Sequence, residues 1–296
     1  MTPKKRLNIL LADDGSQHAQ AAVEWLQSVP LPPKSQIYVF RAFHSGQIAW
    51  ISDFEKALER TQTQLSNLGY RVETELTLGH AAEKILEIAE ARKPDLIVMG
   101  AKGLRSTLNI LLGGVAQHVV EYACCPVLIV RAPYQGFCRV LLVTDGSPSS
   151  LSAARYLRRF PLSSDASVST MHVLPPPYTP VMMEPYSGTW QTIYAMYPAP
   201  EEEEALRTKE TKLARALLAR TDRLLRHYGI PSKSLLARGD AATEILDYAG
   251  KYQMDLIVAG SRGLSQFKSF LMGSVSRKLV HYANCSVLLV KAPRKE

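Results

Sequence analysis

Three glycines and a serine in the second half of the sequence are spaced as in a loop that binds phosphate groups. Gly260 ends a short apolar run, Gly263 follows after two residues, and Gly273 with Ser274 follows after nine more. We expect these glycines to adopt left-handed backbone angles, which would let backbone N–H groups converge on an anion. A helix that begins beyond Gly273 would add free N–H groups and the positive end of its dipole. The spacing therefore predicts a polyphosphate site, unless the glycines only turn the chain from a strand into a helix.

The first half of the sequence carries an incomplete copy of this loop. The spacing of Gly100, Gly103 and Gly113 is the same, but Gly114 stands where the second copy has Ser274. The loss of one hydroxyl removes a hydrogen bond worth about 1 kcal/mol net, so we expect binding to weaken by several-fold to about tenfold. Neither GxxxxGK[ST] nor GxGxxG occurs in the chain, which removes the main support for a P-loop or dinucleotide-binding site.

An aspartate follows the first predicted strand of each half, Asp14 in the first and Asp145 in the second. Each starts a DGS sequence, which is a turn signal in its own right. If the glycine loop lies opposite, the carboxylate can also hold ribose hydroxyls. Asp13 stands where the second half has Thr144, and we expect this second carboxylate to repel an anionic ligand in the first half.

Composition narrows the class of protein. The chain has 296 residues, 46% of them hydrophobic and 21% charged, as in globular proteins of about two domains. Its net charge of +8 favours anionic partners, but the basic residues form no block with interleaved aromatics, so we expect no dedicated nucleic-acid site. No apolar run reaches the roughly 18 residues of a membrane span, and no signal-peptide pattern opens the chain. The four cysteines and seven histidines lack zinc-site spacing. We therefore expect a cytoplasmic protein with reduced thiols and no metal site.

The sequence is an internal duplication. Residues 79–133 align with residues 239–293 without a gap, and roughly 25 of these 55 positions are identical. We place one domain at residues 1–133 and another at 137–296, joined by a short linker that contains proline and glycine. Each half alternates predicted strands and helices, which is typical of an open parallel α/β sheet whose ligands bind beyond the carboxyl ends of the strands.

Two further segments carry structural predictions. The last strands, residues 127–130 and 287–290, are short and apolar, and an edge strand left bare invites pairing with another strand. In the second half, Leu206, Leu213, Leu217 and Leu224 recur at helical spacing and predict a long amphipathic helix.

Taken together, four features resemble the universal stress protein family: DGS after the first strand, DLIV before the loop, the glycine motif, and a final VLLV. The resemblance covers nearly the whole chain twice. It implies two tandem Rossmann-like domains of the adenine nucleotide alpha-hydrolase-like type, with ATP as ligand. The domains would pack as an intramolecular pseudo-dimer in which the last strands, residues 127–130 and 287–290, pair with each other. In the second half, the residues implied for the adenosine, adenine and phosphates are Thr144, Asp145, Val173, Gly260, Arg262, Gly263, Gly273, Ser274 and Val275. Their counterparts in the first half are Asp14, Ala42, Gly100, Lys102, Gly103, Gly113, Gly114 and Val115.

The second half also contains an insertion at residues 175–204, rich in proline and aromatic residues that include Trp190. It is either a flexible surface loop or a segment that closes over the nucleotide or docks a partner. Glu201 to Glu204 at its end are expected to form the acidic first turn of the following helix.

The function that the sequence favours is an ATP-binding stress-response or signalling module without a dedicated catalytic centre. Two alternatives stay open: a protein-interaction module that does not depend on nucleotide, and a slow ATPase that uses ATP with Mg²⁺. A regulatory protein partner and further homodimerisation are compatible with each of these interpretations.

Overall fold

The computed structural model of the chain describes residues 6–103, 112–176, 200–263 and 272–292. In the first half, the strands and helices are β1 (Asn8–Ala12), α1 (Gln17–Ser28), β2 (Gln36–Phe43), α2 (Ile51–Ser66), β3 (Arg71–Leu78), α3 (Ala81–Arg92), β4 (Leu96–Gly100), α4 (Gly114–Tyr122) and β5 (Val127–Val130). In the second half, they are β6 (Arg139–Val143), α5 (Pro148–Tyr156), β7 (Ser167–Leu174), α6 (Pro200–His227), β8 (Ser232–Arg238), α7 (Ala241–Lys251), β9 (Leu256–Gly260), α8 (Ser274–Tyr282) and β10 (Ser286–Val290). A short 3-10 helix, Ser45–Trp50, precedes α2.

The described strands form one ten-stranded sheet in the order β3-β2-β1-β4-β5-β10-β9-β6-β7-β8. Pairing is parallel within each half and antiparallel where β10 meets β5, with Leu288 opposite Leu128. The predicted α/β fold class and the predicted pairing of the last strands are therefore confirmed. The central strands are almost wholly apolar because helices cover both faces of the sheet, and every residue of β9 is buried.

The hydrophobic core has one layer on each face of the sheet, and both layers continue from one half into the other. Trp25 of α1 is fully buried and stacks on Phe160 of the second half, with 5.5 Å between the ring centroids. Tyr156, at the end of α5, donates a hydrogen bond from its hydroxyl to the carbonyl of Asp95 in the first half at 2.9 Å. The halves thus share a packed interface as well as a strand pair.

The long helix α6 exists as predicted, but its apolar face was predicted only in part. Leu217 and Leu224 are partly buried, whereas Leu206 and Leu213 are exposed. The fully buried positions are Ala214, Leu218 and Leu225. Leucine spacing alone does not distinguish these two neighbouring stripes, and the stripe that faces β7 and β8 contains a small alanine.

The insertion is shorter than predicted at its end because α6 begins at Pro200. Glu201 to Glu204 therefore lie in the first turns of this helix, where a negative charge is favourable. Residues 177–199, including Trp190, lie outside the described part of the chain. Within the described ranges, no helix combines the length and the apolar composition that crossing a membrane requires.

Candidate functional site

A cavity of about 300 Å³ lies in the first half at the carboxyl ends of β1, β2 and β4, beside the N-terminus of α4. All eight residues that the sequence suggested for this half line it: Asp14, Ala42, Gly100, Lys102, Gly103, Gly113, Gly114 and Val115. Strand order explains this convergence, since β1 lies between β2 and β4 and brings their carboxyl ends to one edge of the sheet.

The second half has an equivalent cavity of about 220 Å³ beside α8. Its lining contains all nine residues suggested for that half: Thr144, Asp145, Val173, Gly260, Arg262, Gly263, Gly273, Ser274 and Val275. The roles assigned to these residues toward a ligand stay predictions. The structure establishes that residues far apart in the sequence share one cavity in each half.

Apolar residues that the sequence analysis did not single out form the walls of these cavities. Ile85 and Met99 line the first cavity, and Ile245 and Ala259 line the second. Such walls suit a flat, weakly polar group such as a purine base. The available signal was the duplication itself, since Ile85 and Ile245 are identical residues at equivalent positions.

The first glycine of each loop is needed for packing. A Cβ on Gly260 would lie 2.5 Å from the backbone carbonyl carbon of Ser149, and one on Gly100 would lie 2.7 Å from that of His18. The expected left-handed angles are wrong, because Gly260, Gly263 and Gly273 all have ordinary φ values. Gly260 and Gly100, which lack a side chain, let α5 and α1 respectively approach the ends of the strands closely.

The second glycine of each loop faces the aspartate of the DGS turn. A Cβ on Gly103 would lie 2.6 Å from Asp14 Oδ2, and one on Gly263 would lie 2.9 Å from Asp145 Oδ2. The other carboxylate oxygen of Asp145 accepts a hydrogen bond from the backbone N–H of Ser147 at 2.9 Å. Each aspartate therefore forms the turn with one oxygen, and its other oxygen lies beside the second glycine of the loop in the cavity lining.

Serine side chains tie the DGS turn to the glycine loop. Ser16 Oγ donates to the carbonyl of Lys102 at 3.0 Å, and Ser147 Oγ donates to the carbonyl of Arg262 at 3.2 Å. The same hydroxyls accept from the first turns of α1 and α5 and so cap these helices. One small residue thus fixes the distance between the aspartate and the loop in each half.

Helices α4 and α8 begin at the cavities, with Gly113 and Gly273 as N-caps that provide no side-chain cap. The N–H of Gly273 is used within the loop, donating to the carbonyl of Ser261 at 2.8 Å, and the N–H of Gly113 does the same with Ala101. The N–H of Gly273 is therefore occupied, unlike the prediction that it contacts a phosphate. The N–H groups of the first helical turn, which starts at Ser274, point along the helix axis toward the cavity end.

The extra carboxylate of the first half, Asp13, is paired within the protein, and its expected repulsion of an anionic ligand stays a prediction. Asp13 is buried, accepts from Arg41 Nη2 at 3.2 Å through Oδ1, and accepts from Thr61 Oγ1 at 2.9 Å through Oδ2. In the second half, the ring Nδ1 of His172 contacts the carbonyl of Thr144 at 2.7 Å. Both halves thus anchor the same backbone carbonyl, since Arg41 Nε donates to that of Asp13 at 2.8 Å.

A third cavity, of about 800 Å³, lies along the linker between the halves. It is lined by residues such as Arg131, Tyr134, Arg139, Lys251 and Asp255 and contains none of the predicted site residues. Arg139 and Asp255 form an ion pair there at 2.8 Å. The described residues contain no group of three or more His, Cys, Asp or Glu side chains arranged to hold a metal.

Known proteins match this chain over both halves. The model of the Universal stress protein family matches residues 5–131 and again residues 136–291. A universal stress protein of Methanocaldococcus jannaschii is 31% identical over 168 residues, which cover 57% of this chain and 90% of that protein. One from Mycolicibacterium smegmatis is 24% identical over 310 residues and covers 96% of each chain. The crystal structure of a universal stress protein from Archaeoglobus fulgidus has a TM-score of 0.66 at 18% identity over 98% of both chains, a likeness that concerns the fold alone.

Proposed function

The chain belongs to the universal stress protein family in both halves, and we propose that it binds ATP in the two cavities at the carboxyl ends of its sheet. One observation carries the proposal. In each half, an apolar cavity, an aspartate in its lining and a helix N-terminus without a side-chain cap lie together. These three parts match the base, ribose and phosphates of a nucleotide.

In the second half, Val173 and Ile245 would contact the base, Asp145 would accept hydrogen bonds from ribose hydroxyls, and the first turn of α8 would receive the phosphates. Arg262, on the exposed side of the loop, would reach the phosphates as a charged donor. Any divalent ion would enter with the nucleotide. The bound nucleotide supplies a recognisable charged surface, and the protein's own residues orient it and shield its base from water.

The proposed role is a nucleotide-dependent stress-response or signalling module in the cytoplasm, with a regulatory protein as partner. Further homodimerisation would have to use another surface, because β5 and β10 already pair with each other. No dedicated catalysis is proposed. A steady-state turnover anywhere near the typical value of about 10 per second would contradict this role and favour an ATPase.

The test is calorimetric titration of the full chain with ATP, together with mass spectrometry of nucleotide released from the purified protein on denaturation. We expect two sites. Gly273→Val should remove the second, because a Cβ at this position would lie 3.4 Å from Gly263 N and the valine methyl groups would fill the space between α8 and the loop. Gly113→Val is the matched variant for the first cavity. A folded wild-type protein that neither carries nor binds nucleotide would leave a nucleotide-independent interaction module.

A further inference from the structure

Two cations cross the boundary between the halves at equivalent positions of the duplicated segment. Arg131 follows β5, and its Nη2 donates to the carbonyl of Val280 at 2.9 Å. Lys291 follows β10, and its Nζ donates to the carbonyls of Val120 at 2.7 Å and Glu121 at 3.1 Å. These carbonyls belong to the last turns of α8 and α4, which lack partners within the helix. Each cation therefore caps a helix of the opposite half.

The capped helices are the two that begin at the proposed nucleotide sites. Helix α4 starts at the first cavity, and its last turn is capped by Lys291 of the second half. Helix α8 starts at the second cavity, and its last turn is capped by Arg131 of the first half. A helix of nine residues is about 14 Å long and moves as a rigid unit. A displacement of one end of such a helix therefore also displaces the other end.

Lys291 also lies close to the glycine loop of its own half. The backbone N–H of Ser261 donates to the carbonyl of Val290, the residue before Lys291, at 2.9 Å. Burial lowers the pKa of the Lys291 amine to about 8, and the positive charge of Arg262 acts in the same direction. The positive charge of Arg262, which lines the second cavity, thus disfavours the charged form of the Lys291 amine that caps α4.

In the first half, the residue before the capping cation also contacts the glycine loop, and His18 lies beside this contact. The N–H of Ala101 donates to the carbonyl of Val130 at 2.9 Å, and His18 Nδ1 accepts from the N–H of Ala132 at 2.8 Å. Burial lowers the pKa of His18, and the charges of Arg131 and Lys102 add to this effect. One imidazole therefore lies within electrostatic range of both the loop cation of the first cavity and the cap of α8.

We propose that the two nucleotide sites are coupled through these crossed caps, so that ATP in one cavity increases the affinity of the other. The inference rests on the proposed nucleotide binding. Phosphates beside Arg262 offset the charge that opposes the Lys291 ammonium, which strengthens its contact with the end of α4. A more firmly held α4 keeps its N-terminal N–H groups in place at the first cavity, so less order must be gained on binding. Linkage requires the reverse effect to be equal.

The experiment measures the dissociation constant for ATP at the first cavity in the full chain, with the second cavity either filled or closed by Gly273→Val. We expect about fivefold tighter binding when the second cavity is filled, which is the lower end of usual coupling. Lys291→Met should bring this ratio close to one, and Lys291→Arg should retain most of it. Lys251→Met is the matched control, since it removes an exposed lysine of the same half.

A second readout follows Lys291 itself by competitive labelling with acetic anhydride at pH 8 and mass spectrometry. ATP should slow the labelling of Lys291 several-fold in the wild type and leave it unchanged in Gly273→Val. Three results would overturn the coupling while leaving ATP binding intact. They are an affinity ratio of one in the wild type, an unchanged ratio in Lys291→Met, and a labelling rate of Lys291 that does not change when ATP is added. Absence of ATP binding at both cavities would overturn the coupling and the proposed function together.

Discussion

Beside the first cavity, Asp13 and Arg41 form a buried ion pair, whereas Thr144 and His172 occupy the same positions beside the second cavity without a carboxylate. The surrounding frame hardly differs, since both halves keep the aspartate turn, the glycine loop and the helix that starts at the loop. The comparison indicates that the two copies have diverged in the polar residues that line the cavities more than in the backbone that frames them. Differences in affinity between the halves should therefore follow from a few side chains.

The largest effect is expected where the halves meet. Trp25→Ala should lower the free energy of unfolding by about 4 kcal/mol, since it removes a fully buried indole that stacks on Phe160. The residue equivalent to Trp25 in the second half is Tyr156, whose hydroxyl makes one hydrogen bond across the interface, so Tyr156→Phe should cost only about 1 kcal/mol.

Urea unfolding monitored by circular dichroism measures both variants, with the exposed Trp50→Ala as control. A loss for Trp25→Ala no larger than that for Tyr156→Phe would contradict the assignment of the buried, stacked indole as a major apolar contact of the interface.

The next effect concerns the buried ion pair. Asp13→Ala should destabilise the protein by about 3 kcal/mol because it leaves the Arg41 guanidinium buried without its carboxylate. Thr144→Ala, at the same position of the second half, should cost about 1 kcal/mol. Asp13→Ala combined with Arg41→Met should recover much of the loss, as thermal unfolding of the three variants would reveal. A double variant no more stable than Asp13→Ala would show that the charge of Arg41 is not the cause.

The crossed caps differ between the halves in their response to pH. Lys291 has a folded-state pKa of about 8, below its usual value of about 10.4. Between these pH values the unfolded chain binds more protons, so the free energy of unfolding rises with pH. Relative to Lys291→Met, the wild type should gain about 2 kcal/mol between pH 7 and pH 10.

Arg131 provides the comparison, because a guanidinium stays charged over this range. The stability difference between the wild type and Arg131→Met should therefore be constant from pH 7 to pH 10. Using differences between variants removes the titration of the tyrosines from the result. If the stability difference between the wild type and Lys291→Met is also constant from pH 7 to pH 10, the folded protein does not lower the pKa of Lys291.

Much of the fold could be predicted because it depends on local patterns that occur twice. Continuous apolar runs identify β4 and β9 as buried strands, and the ungapped match of residues 79–133 with 239–293 requires the same topology in both halves. The members of each cavity could be predicted for the same reason, since parallel strands bring their carboxyl ends to one edge.

What could not be predicted depends on contacts between distant residues. Residue 260 has to be glycine because Ser149 of α5 approaches it closely, and the spacing of glycines in the sequence does not reveal this contact. The partner of Asp13 is 28 residues away on β2, so its charge was taken as free. The caps made by Arg131 and Lys291 also required the antiparallel pairing to be in place, because each side chain contacts the opposite half.

The smallest expected effect tests whether a single hydroxyl sets the difference in ATP affinity between the halves. A Cβ on Gly114 would meet no atom within 4 Å, so Gly114→Ser can place a hydroxyl at the start of α4 without displacing a neighbour. Such a hydroxyl can donate one neutral hydrogen bond to a phosphate oxygen, worth about 1 kcal/mol, which corresponds to roughly fivefold tighter binding at the first cavity. The reciprocal variant, Ser274→Gly, should weaken the second cavity by the same factor, and Gly114→Ala controls for the loss of backbone freedom. Calorimetry should measure each variant in the Gly273→Val or Gly113→Val background, so that one site is observed at a time. If Gly114→Ser and Gly114→Ala have the same affinity, the hydroxyl is irrelevant, and the difference between the halves must arise from the residues around Asp13 and Thr144.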